Sequence, residues 1–219
     1  MISEFEIIRK IFLEIDSKLD SPVGAYLIGG AALMHYGSKT ATKDIDLVFQ
    51  KTEDFIKVRK TLIDLRFSSK TTPMTHGNFT LADWLTRDDF RLDLFDKVIC
   101  GKLSVTSRIA GRSTILIKLE KLNIFVCSKE DIFLFKSITE RLGDKEDCIE
   151  LIKQGVNWDT VFDELNNQIK ETGADIWITI VNERLEELSE LGLTIPILKQ
   201  VQALTEICYE KLARSAKNS

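Results

Sequence analysis

No apolar run in the 219-residue sequence approaches the roughly 20 residues that a membrane-crossing helix needs, so no span is expected. Histidine is nearly missing, with only His35 and His76. The four cysteines, Cys100, Cys127, Cys148 and Cys208, form no C-x-x-C pair. These shortages argue against a structural zinc site. Scattered cysteines and no signal-peptide pattern lead us to expect a reducing, cytoplasmic setting. Internal repeats and low-complexity segments are lacking. Excess positive charge is lacking too: the net charge of −4 argues against a broadly basic nucleic-acid surface, while leaving room for a local patch.

The composition, 44% hydrophobic and 29% charged, is that of a globular chain able to bury a core as one large or two small domains. Residues 26–49, YLIGGAALMHYGSKTATKDIDLVF, organise the rest. Ala25-Tyr26-Leu27-Ile28 reads as a buried strand, ended by Gly29 and Gly30. Residues 31–36 are good helix formers. A polar link, 37–43, leads to a second strand, 44–49, with two acids at its start. Strand side chains alternate, so Asp44 and Asp46 share one face while Ile45 and Leu47 point to a core. Two adjacent carboxylates repel one another. A divalent cation relieves that conflict, and Mg²⁺ takes carboxylate and phosphate oxygens together, so the pair can hold a nucleoside triphosphate by its phosphates. Glycines at 29 and 30 let backbone N–H groups approach a ligand, before a helix start that favours anions. Thr42 is a candidate phosphate partner or a turn-closing residue. Lys39 and Lys43 place positive charge beside the acids, as well as being ordinary surface lysines.

Gly29-Gly30, thirteen intervening residues and then Asp44-Ile45-Asp46 resembles the signature of the polymerase-β-like nucleotidyltransferase superfamily. Thr42-Lys43-Asp44-Ile45-Asp46 looks especially like the minimal nucleotidyltransferases around the AbiEii-type toxins of toxin–antitoxin systems. The resemblance covers roughly residues 20–155. It implies a third carboxylate on a neighbouring strand, for which Asp93 in Arg91-Leu92-Asp93-Leu94-Phe95 is the candidate and Asp96 the rival. Asp96 lies out of phase with Asp93 and near a turn. The segment SKEDIFLFKSITERLGDKED resembles one in the AbiEii-like group that carries a lysine on the helix after the sheet and an arginine or acid near the nucleotide. Lys136 and Arg141 are the candidates here, and Asp144 is as well suited to capping a helix. The resemblance further implies a Mg²⁺-dependent enzyme with Asp44, Asp46 and Asp93 as metal ligands and catalytic residues. A nucleoside triphosphate such as ATP is the donor it implies. The acceptor would be the 3′ end of an RNA such as tRNA, a protein hydroxyl, or a small molecule such as an aminoglycoside. A cognate antitoxin is the implied partner. The alternative is a non-catalytic nucleotide-binding or toxin–antitoxin partner module of the same fold.

Along the chain, residues 2–19 read as an amphipathic helix with Phe5, Ile8, Ile11 or Phe12, and Ile15 or Leu19 on one face. Residues 53–65 form the next helix, with Thr52 as N-cap and Phe55, Ile56, Val58, Leu62 and Leu65 on its apolar side. Residues 66–78 read as a polar loop, and 79–85 and 90–95 as paired strands. Residues 113–119 and 122–127 are short strands. Ser128 starts a helix that Gly143 breaks near Arg141, and Asp144 starts another to about Lys153. Three more helices follow, over 158–171, over 175–191 with Trp177, Val181, Leu188 and Leu191 inward, and from Pro196 to a frayed tail at 214–219. Trp84, Trp158 and Trp177 are expected in cores, and His35 and Tyr36 in packing. The expected fold class is α/β: a nucleotidyltransferase-like mixed sheet with flanking helices in a catalytic domain, 1–127, then a helical domain, 128–219.

Overall fold

A computed structural model describes residue 2 and residues 4–69, 82–172 and 176–217. The chain divides into two compact units, Met1–Ser128 and Lys129–Ser219. The first is mixed α/β and the second, among its described residues, is helical. In the first unit the order is α1 (Phe5–Lys18), β1 (Val23–Ile28), α2 (Gly29–His35), β2 (Ile45–Phe49), α3 (Thr52–Asp64), β3 (Ser68–Ser69), β4 (Ala82–Arg87) and β5 (Phe90–Asp96). Then come β6 (Val98–Ile99), β7 (Leu103–Ser104), α4 (Ser107–Arg112), β8 (Thr114–Lys118) and β9 (Leu122–Val126).

Helix α1 buries Ile8, Ile11, Phe12 and Ile15, the three-and-four spacing of one helical face. Its Asp16 carboxylate accepts from the backbone N–H groups of Lys121 and Leu122, both at 2.7 Å, and so pins the turn that enters β9. Seven described strands form one mixed sheet in the order β3-β4-β5-β2-β1-β9-β8. The pairs β1·β9 and β2·β5 are parallel, and the rest are antiparallel. Strand β2 lies at the middle of that order, and Ile45, Leu47, Val48 and Phe49 on it are fully buried. Each such side chain contributes about 1.5–3 kcal/mol by leaving water. With β1 on one side and β5 on the other, β2 has its outward residues held in register by two neighbours.

Several local expectations give way to tertiary context. Thr52 does not cap α3: the cap position is Lys51, with no side-chain bond, and Thr52 Oγ1 donates to Asp96 Oδ1 at 3.0 Å. Ile56 is exposed, while Val58 and Leu62 carry the buried side of α3. The β4–β5 hairpin turns tightly at Asp88 and Asp89, with Asp88 at φ +53°, so Thr86 and Arg87 belong to the strand rather than the turn. Most of the expected loop over 66–78, with His76, and the strand start at 79–81 lie outside the described residues. The two-residue strands β6 and β7 and the helix α4, where Thr106 Oγ1 caps by accepting from the Ile109 N–H, are too short to show a periodicity.

The second unit runs α5 (Lys129–Ser137), α6 (Leu142–Lys153), α7 (Trp158–Thr172), α8 (Ile178–Glu190) and α9 (Leu198–Lys217). The break after α5 falls at residues 138–141, and Gly143 lies inside α6 instead of ending a helix. Leu191 is exposed just beyond α8, whereas Trp177, Val181 and Leu188 are buried as expected. Helix α9 continues through Arg214, where a frayed tail was expected. No helix among the described residues is long and apolar enough to cross a membrane.

Candidate active site

The site is built where β1 passes directly into α2. Ile28, the last residue of β1, pairs with Asp46 on β2, and Asp46 in turn pairs with Asp93 on the parallel strand β5. Asp93 stands opposite Trp84 on β4. Residues paired across a sheet share a face, so Trp84, Asp93 and Asp46 form one row across three strands spaced about 4.8 Å apart. Asp44, two residues before Asp46, continues the same face along the chain. Asp96, three residues after Asp93, points to the other face and is bonded by Thr52.

Two glycines pack tightly here, Gly29 against this row and Gly30 against Thr42. Gly29 has φ +64°, and a Cβ there would come 1.9 Å from Asp46 Oδ2. A Cβ on Gly30 would come 2.3 Å from Thr42 Oγ1. The pair of glycines is therefore matched to two side chains that lie more than ten residues further along the chain. Replacing Gly29 by Ala is expected to cost more stability than replacing Gly37, which has φ +71° but nothing within 4 Å of its Cβ position. The left-handed backbone alone costs on the order of 1–3 kcal/mol at either position. The clash with Asp46 adds to this only at Gly29. Denaturant midpoints of the two variants measure the difference, and equal losses would show that Asp46 moves aside freely.

Thr42 is buried, and its backbone is tied to Ile2 by two hydrogen bonds of 2.8 Å. Its Oγ1 donates to the Asp44 carbonyl at 3.1 Å and lies 3.4 Å from the Asp44 carboxylate. Thr42 thus positions Asp44. Lys43 is exposed beside the acids.

The cation facing these acids is Arg91. On β5 it lies two residues before Asp93 and so on the same face. Its Nε and Nη2 donate to the two oxygens of Asp93 at 2.7 and 2.6 Å, a two-pronged charged pair. The guanidinium also lies 4.7 Å from the centroid of the Trp84 ring. The hydrogen bonds to Asp93, and then the charges of Asp93, Asp44 and Asp46, hold Arg91 above the ordinary guanidinium pKa against the effect of burial. All three carboxylates therefore act on one positive group. Among the described residues no three His, Cys, Asp or Glu side chains are drawn into a single metal-ligating cluster. The donor set itself suits a hard divalent cation: carboxylate oxygens on neighbouring strands, with the same three acids already balancing one positive charge. Sequence reasoning passed over Arg91 and placed Trp84 in a core. Trp84 is 44% exposed under the guanidinium. The Arg-x-Asp spacing on a strand was the signal for Arg91.

The second unit holds the other two candidates. Lys136 Nζ bonds Asp144 at 2.5 Å and Asp147 at 2.9 Å, and all three are largely buried. Burial alone would lower the Lys136 pKa, but the charges of Asp144 and Asp147 outweigh it and raise it. Burial alone would raise Asp144, but Lys136, together with a hydrogen bond from Thr139, brings it below the usual carboxylate value. Asp144 therefore anchors Lys136, and Arg141, exposed, occupies the N-cap of α6. Cys148, beside this cluster, is pushed up to about 12 by burial, so the thiol stays protonated and inert.

No protein-family model matches the sequence, and no curated protein does. Among solved structures, the chain is similar to ANT(2″)-Ia in complex with adenylyl-2″-tobramycin, at 15% identity over 77% of this chain and 98% of that one, with a TM-score of 0.48. It is also similar to a Thermotoga maritima protein described as a candidate nucleotidyltransferase, at 15% identity over 61% and 84% of the two chains, with a TM-score of 0.44. A solution structure of the antibiotic-resistance factor ANT(2″)-Ia matches at 15% identity over 97% and 95%, with a TM-score of 0.40. At this identity and with TM-scores below 0.5, these likenesses decide neither the family nor the activity of this chain.

Proposed function

We propose that this protein is a divalent-cation-dependent nucleotidyltransferase that moves a nucleoside monophosphate from a nucleoside triphosphate to an acceptor hydroxyl. The observation that carries the proposal is the registered pair Asp46–Asp93 on parallel neighbouring strands, with Asp44 two residues away and Gly29 held against Asp46. Asp44, Asp46 and Asp93 are the residues that would hold Mg²⁺, which when bound would neutralise phosphate charge and polarise the α-phosphoryl group. In the transfer the acceptor oxygen bonds to the α-phosphorus while the bond to the bridging oxygen of the β-phosphate breaks, and pyrophosphate leaves. Asp93 is the carboxylate assigned to receive the hydroxyl proton. Thr42 keeps Asp44 in place, and the N–H groups at Gly29 and Gly30, with Lys43, supply the phosphate contacts. Lys136 and Arg141 stay in the proposal as further cations for the phosphates, with Lys136 held by Asp144 and Asp147.

The acceptors to test are tRNA, the protein itself and an aminoglycoside, with ATP as the first donor. A toxin–antitoxin role and a cytoplasmic site of action belong to the same proposal. The test measures pyrophosphate release with each nucleoside triphosphate, with and without Mg²⁺. Metal-dependent release with label transferred to one acceptor is the expected result, and no release with any pair would refute the reading. The Arg91–Asp93 ion pair favours a second reading, a non-catalytic nucleotide-binding or antitoxin-partner module, because it already satisfies one of the three acids. Saturable nucleotide binding without turnover would select it.

A further inference from the structure

The Arg91–Asp93 pair is unequal in a way that suggests exchange. The Asp93 side chain is 8% exposed, and its partner Arg91 is 37% exposed. The anion is fixed in the sheet, in register with Asp46, while the cation reaches it from the wet side along its own strand. Arg91 has a second contact that does not depend on Asp93, since its guanidinium lies over the exposed ring of Trp84 while it holds the carboxylate. A guanidinium that leaves a carboxylate for an aromatic face keeps a favourable contact for its charge. Arg91 already engages both oxygens of Asp93, so a divalent cation that binds there must share those oxygens with it or displace it.

We propose that Arg91 is a displaceable counter-ion that competes with a divalent cation for Asp93 and, when that cation binds, gives up the carboxylate and keeps its contact with Trp84. The inference rests on the reading of Asp44, Asp46 and Asp93 as a cation site. It assigns Arg91 a positioning role: it keeps Asp93 oriented, and it sets how much divalent cation the site needs. Arg91 therefore weakens cation affinity, and its removal strengthens it.

The test titrates Mg²⁺ into the full chain and into Arg91→Met and Arg91→Lys, by calorimetry and by the arginine Nε–H signals in proton–nitrogen spectra. Arg91→Met is expected to bind Mg²⁺ about tenfold more tightly, the worth of one charged hydrogen-bonded pair. Arg91→Lys, which keeps the charge but loses the fork, is expected to fall between the two. In the unsubstituted protein the Arg91 Nε–H signal, identified by its loss in Arg91→Lys, should lose its protection from solvent exchange as Mg²⁺ saturates. A purely electrostatic neighbour would change the affinity and leave that signal protected. If Mg²⁺ binds but the signal stays protected, or if both variants bind with unchanged affinity, the displacement is refuted and the proposed function stands. If neither the unsubstituted chain nor Arg91→Met binds Mg²⁺, the cation site and the displacement fall together.

Discussion

Asp46→Asn is expected to lose nucleotidyl transfer by about a thousandfold or more, the equivalent of roughly 4 kcal/mol of transition-state stabilisation, while melting no lower than the parent. Asparagine keeps the shape that Gly29 accommodates and removes the charge that would hold Mg²⁺ against a triphosphate. Three carboxylates act on one guanidinium in this part of the sheet, so taking one negative charge away relieves repulsion that Arg91 only partly offsets. A cation site and a structural pair therefore predict opposite signs for stability. Thermal melting without added metal, set beside incorporation of labelled nucleotide, reads both. Full transfer by the variant would sink the enzyme reading. A large fall in melting temperature would instead make Asp46 a residue that holds the fold together.

Lys136→Met is expected to destabilise the protein by about 3–5 kcal/mol at neutral pH, because it strands two buried carboxylates, Asp144 and Asp147, without their cation. The direction with pH is set by Asp144. Its folded pKa lies below the ordinary carboxylate value of 3.8, so the pair's contribution is present above that value and is lost as pH falls through the folded pKa. In the variant Asp144, deprived of its cation, gains by taking up a proton, so the difference between the two proteins should shrink as pH falls from 7 toward 4 and below. Urea unfolding at pH 7 and near pH 4 provides the comparison. A loss under about 1 kcal/mol at pH 7 would mean that the acids find other partners. A loss that does not shrink in acid would place the cause in the packing of the lysine stem rather than in its charge.

Local patterns were enough for much of the fold. The three-and-four spacing in α1 and the alternation through β2 are properties of short segments, and the structure repeats them nearly residue for residue. The helix breaks were less legible. Gly143 looks like a stop signal, but it sits in the first turn of α6, where glycine interrupts no completed ladder, and the break falls before it. Thr52 looks like a cap, but the helix already begins on it, with Lys51 at the cap position, and its hydroxyl donates to the Asp96 carboxylate that β5 brings near. Trp84 looks like a core residue, but it stands on the outward face of β4, where the Arg91 guanidinium reaches over its ring.

The sequence by itself determined that Asp44 and Asp46 share a face, that glycines precede them, and that strands give way to helices. These follow from the two-residue period of a strand and the conformational range of each residue type, and need no knowledge of neighbours. The tertiary structure alone decided that Asp93 stands beside Asp46, that Gly29 is shaped by Asp46 and Gly30 by Thr42, and that Arg91 takes the carboxylate of Asp93. It alone decided, too, that Lys136 is held between two acids of the next helix. The physical reason is one of range. Strand order and register are set by how whole elements bury their apolar faces against one another, and a charge finds its partner only after that burial has brought distant segments together.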